Sequence, residues 1–250
     1  MKEEQTLSDN SIIIGRNPVF ETLKSGREIE KLVIAKDTEG SIRKIIGIAR
    51  DKGIPCQYVE RSALERISGG GVHQGVIAYV SAYVYCDVED FIEKAQSRKE
   101  DPFIIILDGI EDPHNLGAII RTAEGAGVHG VIIPKRRAVG ITDVVAKASA
   151  GAIEYVSVAK VPNIAQIIDK LKGMGVWVGA CDMHGMDYDK ANLKGSIALV
   201  IGAEGNGISR LVKEKCDFSI SIPMSGHISS LNASNAAAIL MYEVKRQRNG

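Results

Sequence analysis

The run Phe103-Ile-Ile-Ile-Leu107 constrains this chain most, because five consecutive apolar residues cannot alternate between a buried face and a wet one. Such a run belongs to a strand covered on both sides, as in a parallel sheet inside an α/β layer structure. The sequence after it agrees. Strand patterns recur at 130–133, 155–158, 176–180, 197–201 and 218–222. Helical periods separate them at 116–126, 144–150, 164–171 and 209–215, and an alanine-rich one closes the chain at 232–248. This alternation predicts a mostly parallel sheet with helices on both faces.

Upstream, the elements are shorter. Helical patterns at 17–24, 41–52 and 62–67 alternate with strand patterns at 31–35, 56–59 and 75–84. Between the two regions, 88–101 (VEDFIEKAQSRKED) is charged and runs into Pro102, which disfavours helix in the residue before it. The expected organisation is a small α/β domain at 11–85, a linker at 86–101 that can hold a short helix, and a larger domain at 102–250.

Composition excludes several classes. With 45% hydrophobic and 25% charged residues the chain reads as ordinary globular sequence. No stretch approaches the roughly 18 apolar residues of a membrane span, and Met1–Asn10 lacks the apolar core of a signal peptide. No membrane partner and a cytoplasmic location are expected. Cys56, Cys86, Cys181 and Cys216 are widely spaced with no C-x-x-C pair, so no metal site is expected. Formal net charge is zero, which argues weakly against a nucleic-acid partner. Local runs can override the sum: Lys135-Arg136-Arg137 follows a strand end and Lys245-Arg246-Gln247-Arg248 closes the chain, each readable either as a phosphate contact or as a solvated surface run.

In a parallel sheet, ligands gather at the carboxyl ends of the strands. Three such ends are unusually polar or glycine-rich. After the first strand comes Asp108-Gly-Ile-Glu-Asp-Pro-His-Asn115-Leu-Gly-Ala-Ile-Ile-Arg121-Thr, where Asn115 can cap the following helix. Arg121, read near that helix's N-terminus, opposes its dipole and so points to a bound anion or acid. A second loop is Gly202-Ala-Glu204-Gly-Asn-Gly-Ile-Ser, where Glu204 can accept from a ribose, a base edge or an arginine. It has neither the G-x-G-x-x-G of dinucleotide folds nor the G-K-[ST] of phosphate loops. The third loop, Ile222-Pro-Met-Ser-Gly-His-Ile-Ser-Ser230-Leu231-Asn232-Ala-Ser, carries more small polar residues than a helix cap uses. His114 can touch substrate, and His73 and His227 can meet RNA or water. His129 and His184 read as surface residues. Tyr79, Tyr83 and Tyr85 alternate as if along one strand face, fit for base stacking or for packing.

Together and in this order, the three loops resemble the motifs of the SpoU family of RNA ribose methyltransferases, the TrmH-like branch of the knotted methyltransferases. The front region is similar to the family's RNA-binding substrate domain, through Ile14-Gly-Arg-Asn-Pro-Val-Phe-Glu-Thr-Leu and Gly71-Val-His-Gln-Gly-Val. The resemblance implies transfer of a methyl group from S-adenosylmethionine to a ribose 2'-hydroxyl of RNA. Its nearest likeness is to members acting on a guanosine of large-subunit ribosomal RNA. It also implies a C-terminal trefoil knot and a homodimer. By motif match Gly202, Ile222 and Leu231 would line the cofactor site. Asn115, Arg121, Glu204, Ser230 and Asn232 would form the catalytic set, with Glu204 pairing with Arg121 or holding the nucleotide. Alternatives are a transfer-RNA ribose methyltransferase and a non-catalytic RNA-binding relative. A nicotinamide oxidoreductase is disfavoured by the missing fingerprint.

Overall fold

The computed structural model describes residues 11–25, 28–80, 83–227 and 230–249. Two units divide at Val84 and Tyr85. The first contains β1 (Ser11–Ile14), α1 (Arg16–Ser25), β2 (Ile29–Ala35), α2 (Ile42–Asp51), β3 (Cys56–Val59), α3 (Arg61–Ser68) and β4 (Val76–Val80). The sheet order is β1-β4-β2-β3, with β4 antiparallel to both neighbours and β2 parallel to β3. Along β2 the two-residue period sends Leu32 and Ile34 to a core with Val19 and Leu23 of α1 and Ile42 and Ile45 of α2. Val33 and Ala35 face the other way, against Leu64 of α3. β1 has no counterpart in the sequence reading. Its four residues carry no alternation, and pairing with β4, Ile14 opposite Ile77, makes it a strand.

The second unit contains α4 (Glu89–Arg98), β5 (Phe103–Asp108), α5 (Pro113–Ala126), β6 (Gly130–Pro134), α6 (Asp143–Ala148), β7 (Ser157–Val161), α7 (Ile164–Gly173), β8 (Trp177–Asp187), β9 (Ile197–Gly202), α8 (Arg210–Lys215), β10 (Phe218–Ser221) and α9 (Ala233–Asn249). Its six strands are all parallel, in the order β10-β8-β9-β5-β6-β7. Phe103 to Leu107 are buried throughout, because both faces of β5 are covered. Ile104 and Ile106 join a core with Phe91 of α4, Ile168 and Leu171 of α7 and Val212 of α8. On the opposite face α5 packs between α6 and α9, and α9 reaches β9.

Several expectations change. The charged stretch read as a linker with room for a short helix holds the ten-residue α4, and its Phe91 and Ala95 are buried in the second unit, so it packs as part of that unit. Two apolar residues four apart make a sufficient stripe on a helix whose other faces are charged. β7 begins at Ser157 rather than at residue 155, because a 3₁₀ turn at Ala152–Glu154 precedes it and leaves Tyr155 exposed. β8 runs on to Asp187, where Met186 pairs with Ile220 of β10. Tyr79 and Tyr85 do not share a strand: β4 stops at Val80, and Tyr85 belongs to the second unit, its hydroxyl accepting from the Ile141 N–H at 2.8 Å. His129 is fully buried rather than on the surface. Its Nδ1 accepts from the Phe103 N–H at 2.9 Å and its Nε2 stands 3.0 Å from Glu100.

Among the described residues no helix is long and apolar enough to cross a membrane.

Candidate active site

The strand order reverses direction between β5 and β9. From β5 the chain winds outward through β6 and β7, and the later strands β8, β9 and β10 fill the other side. Loops leaving two such strands diverge to opposite faces and open a crevice at their carboxyl ends. Asp108 and Gly202 are register partners at that point, so the loops carrying Asn115 and Glu204 start side by side. A cavity of about 410 Å³ opens beside it, on the β8 side of β9, lined by Cys181–His184 of β8, residues 201–208, and Ile222, Met224, Ser230, Leu231, Ala233 and Ala236.

Glycine shapes the loop after β9. A Cβ on Gly202 would lie 2.2 Å from the Gly207 carbonyl carbon and 2.4 Å from the Ile208 nitrogen. The room at Gly202 is therefore filled by the chain's own backbone, which folds back so that Ala203 and Gly207 form an antiparallel bridge. The fold-back turns Glu204 toward α5 and α9.

There Glu204 organises a polar cluster. Its Oε1 accepts from Asn115 Nδ2 at 2.9 Å, from Asn232 Nδ2 at 2.5 Å and from the Ala233 N–H at 3.3 Å. Asn232 Nδ2 also donates to Asn115 Oδ1 at 3.0 Å. Asn232 is the residue before α9, and its Oδ1 accepts from the N–H groups of Ser234 (2.9 Å) and Asn235 (3.4 Å). Those backbone donors fix which way the amide points. Asn115 is not a helix cap: Asp112 caps α5 by accepting from the His114 N–H at 3.0 Å, with Pro113 at the first helical position. Asn115 sits in the first turn, with its amide free to reach Glu204.

Arg121 stands apart from this cluster. It is exposed on α5, well past the first turn, and forms no hydrogen bond or ion pair among the described residues. Six residues along an α-helix turn the side chain through roughly 240° and advance it about 9 Å. Asn115 and Arg121 thus face different directions. The pairing of Glu204 with Arg121 considered from sequence does not form; two asparagine amides take that carboxylate instead. Ser230 borders the cavity, as do Gly202, Ile222 and Leu231. Ser229, considered with them, lies outside the described residues.

Sequence reasoning passed over the β8 wall. Asp182 lines the cavity and pairs with Lys213 at 2.8 Å, and the hydrogen bond from Lys213 holds its carboxyl below the usual range. Burial pushes the neighbouring Cys181 thiol up to about 11, so it stays protonated and is no nucleophile at neutral pH. Nothing in the strand's composition marks these residues; the parallel pairing of β8 with β9 brings them to the crevice.

Two acidic side chains line the cavity, Asp182 and Glu204; the ion pair with Lys213 offsets the charge of Asp182, and Glu204 has asparagine and backbone donors instead. Apolar walls come from Ile201, Ile222, Met224 and Leu231. Such a cavity suits a partly apolar ligand whose polar groups meet Glu204 and the loop backbone.

Comparison with known proteins agrees with this reading of the fold. Residues 102–242 match the model of the SpoU rRNA Methylase family, and residues 12–86 match that of the RNA 2'-O ribose methyltransferase substrate binding domain. The chain belongs to the SpoU rRNA methylase family. A Bacillus subtilis protein assigned to the TrmH family of tRNA/rRNA methyltransferases is 51% identical over 240 residues, covering 95% of this chain and 96% of that protein. The crystal structure of the SpoU methyltransferase AviRb from Streptomyces viridochromogenes, in complex with AdoMet, shares the fold at a TM-score of 0.59. Identity there is 24%, with 94% of this chain and 89% of that one covered. A TrmH/SpoU tRNA modifying enzyme from A. aeolicus aligns at a TM-score of 0.55 and 26% identity, over 64% of this chain and 84% of its own. This SpoU chain is an RNA ribose 2'-O-methyltransferase by class.

Proposed function

We propose that the chain moves a methyl group from S-adenosylmethionine to a ribose 2'-hydroxyl, its substrate being a guanosine of large-subunit ribosomal RNA. The observation that carries the reading is the Asn115–Glu204–Asn232 cluster at the edge of a partly apolar cavity. S-adenosylmethionine is an adenosine with a sulfonium, and the cavity's chemistry fits it: Ile222 and Leu231 as walls for an adenine, backbone of the Gly202 loop as hydrogen-bond partner, and the Glu204 carboxylate nearby. When bound, it supplies an electrophilic methyl on a cationic sulfur.

The residues then divide the work. Asn115 and Asn232, tied to one carboxylate oxygen, are held rigid and orient the ribose, and rigid placement supplies several kcal/mol of a barrier. Ser230 completes the polar floor. Asn115 and Asn232 would hold the ribose 2'-hydroxyl in place, and its proton would pass to solvent at this exposed cluster. A guanidinium makes a poor base, so Arg121 is not the proton acceptor. It serves as a fixed cation for the RNA backbone and the developing alkoxide.

Because α5 turns Arg121 away from Asn115, a homodimer is part of the proposal, with Arg121 of one subunit serving the cluster of the other; the trefoil knot implied by the resemblance belongs to the same reading. Ribosomal RNA is favoured over transfer RNA by the front unit. The substrate-binding model matches 12–86, whereas the likeness to the A. aeolicus tRNA enzyme covers 64% of this chain. Ribose-methylation mapping of total RNA with and without the gene tests the whole. One guanosine of large-subunit RNA should lose its 2'-O-methyl group; a loss confined to transfer RNA would reassign the substrate.

A further inference from the structure

Methyl transfer needs the donor sulfur and the accepting oxygen on opposite sides of the moving methyl, so cofactor and RNA have to reach the Asn115–Glu204–Asn232 cluster from different directions. The cofactor cavity lies on the β8 side of β9. On the far side of β5 stands β6, whose Ile132 is the register partner of Ile106. Continued along both strands, that register sets the end of β6, Pro134, level with Asp108, and paired strands stand about 4.8 Å apart. The residues that leave β6 at this level are Lys135, Arg136 and Arg137.

All three are exposed, and their side chains form no ion pair or hydrogen bond among the described residues. Elsewhere in the second unit cations find acids: Lys170, Lys172, Lys190, Lys213 and Lys215 each pair with one. Arg137 also holds a φ of +55°. That left-handed backbone is costly for a residue with a β-carbon, and glycine or asparagine adopts it more cheaply.

The loop is tied down just downstream of these cations. The Val139 N–H donates to the Ile110 carbonyl at 3.0 Å, which joins it to the segment leading through Asp112 into α5 and Asn115. Ile141 is buried, and its N–H donates to the Tyr85 hydroxyl at 2.8 Å. A Cβ on Gly140 would stand 3.0 Å from that hydroxyl, so the glycine leaves it room. Lys160 of β7 lies over the Tyr85 ring, its Nζ 4.9 Å from the centroid. Tyr85 and Ile110 thus hold the same loop at positions two residues apart.

A solvated basic run would account for the exposure alone. It would not account for an arginine in a left-handed backbone, or for two ties that fix the run to the loop of Asn115. We propose that Tyr85 is a positioning residue for methyl transfer: it sets the loop of Lys135, Arg136 and Arg137 against the loop of Asn115, so that these cations hold the phosphates flanking the target nucleotide while Asn115 orients its ribose. The register between phosphate and ribose is then fixed inside the second unit. This rests on the RNA methyltransferase reading and adds the face from which the strand enters the site.

The test uses the full chain, a fluorescent transcript of large-subunit ribosomal RNA and single-turnover methylation. The triple variant Lys135→Gln, Arg136→Gln, Arg137→Asn changes exposed residues only, and asparagine suits the left-handed position. It should raise the RNA dissociation constant about fivefold or more and lower the slope of log affinity against log salt by about two. Tyr85→Phe keeps the ring and every charge. RNA affinity and its salt slope should stay at wild-type values, while the rate at saturating RNA and cofactor falls roughly fivefold, the worth of one neutral hydrogen bond. In the triple variant Tyr85→Phe should cost no further rate, since a loop without cations has nothing left to place. A wild-type rate for Tyr85→Phe at saturating RNA, even with a lowered melting temperature, would overturn the proposal and leave the hydroxyl a structural contact. So would an equal loss from Tyr85→Phe in both backgrounds, or unchanged RNA affinity and salt slope in the triple variant, which decides the matter by itself if Tyr85→Phe fails to fold. Failure of the wild-type chain to methylate the transcript would instead count against the proposed substrate, because affinity and salt slope are read without turnover.

Discussion

Asn232 Nδ2 stands 2.5 Å from Glu204 Oε1, joining the start of α9 to the loop after β9. The same asparagine caps α9 through its oxygen, so helix start and site geometry are set by one side chain. The carboxylate is the hub, since Asn115 and the Ala233 N–H converge on the same oxygen.

Glu204→Gln keeps the shape and removes the charge. Hydrogen bonds to a charged acceptor contribute about 1.5–3 kcal/mol against about 1 for neutral ones. If the cluster orients the ribose, single-turnover methylation should fall roughly 10- to 100-fold, while calorimetry shows the cofactor still bound. Equal turnover in the two proteins would remove the hub from the mechanism.

Arg121→Ala should abolish methyl transfer and leave S-adenosylmethionine binding intact. Because Arg121 faces away from Asn115 on α5, mixing this variant with Asn232→Ala should restore activity. Random re-pairing into dimers would give about a quarter of the wild-type rate, since half the dimers are mixed and each holds one complete site. No recovery after subunit exchange would place Arg121 in its own subunit's site.

His129 makes stability depend on pH. Burial first, partly opposed by Glu100, lowers its pKa below the ordinary value of 6.5. The Phe103 N–H aimed at Nδ1 also leaves no room for a second proton. Its folded pKa being depressed, its contribution is complete above pH 6.5 and is lost as pH falls below it, because the unfolded chain takes up the proton first. The slope should approach at most about 1.4 kcal/mol per pH unit. Chemical denaturation between pH 7.5 and 5.5 should show it, and His129→Gln should flatten it whatever that change does to stability at pH 7.5. An equal slope in the variant would clear His129.

Gly202→Ala should destabilise the second unit, because the added methyl meets the Gly207–Ile208 backbone rather than a movable side chain. Overpacking of this kind costs about 1–3 kcal/mol, which in a chain this size lowers the melting temperature by roughly 2–4 °C per kcal/mol. Cofactor affinity should fall with it, since the same loop lines the cavity. A wild-type melting curve would show that the loop yields easily.

Local pattern determined much of this protein. The Phe103–Leu107 run, burying both faces, demanded a parallel sheet, and the spacing of glycine and small polar residues marked which strand ends carry chemistry. Those are properties of neighbours in sequence, which a period of two or of 3.6 residues records. α4 showed only as a short helix within a linker, because its charges outnumber a two-residue stripe, and β1 was hidden because only its partner strand makes it one.

Tertiary structure alone decided who touches whom. That Glu204 binds two asparagines and not Arg121 follows from how the loop after β9 meets α5 and the start of α9, and that His129 is buried follows from its contact with the start of β5. The hydrogen bond from the Ile141 N–H to Tyr85 likewise joins segments that no local period connects. Hydrogen bonds reach about 3 Å and depend on direction. Residues tens of positions apart in sequence come within that range only when the sheet order and the loops leaving it bring them there.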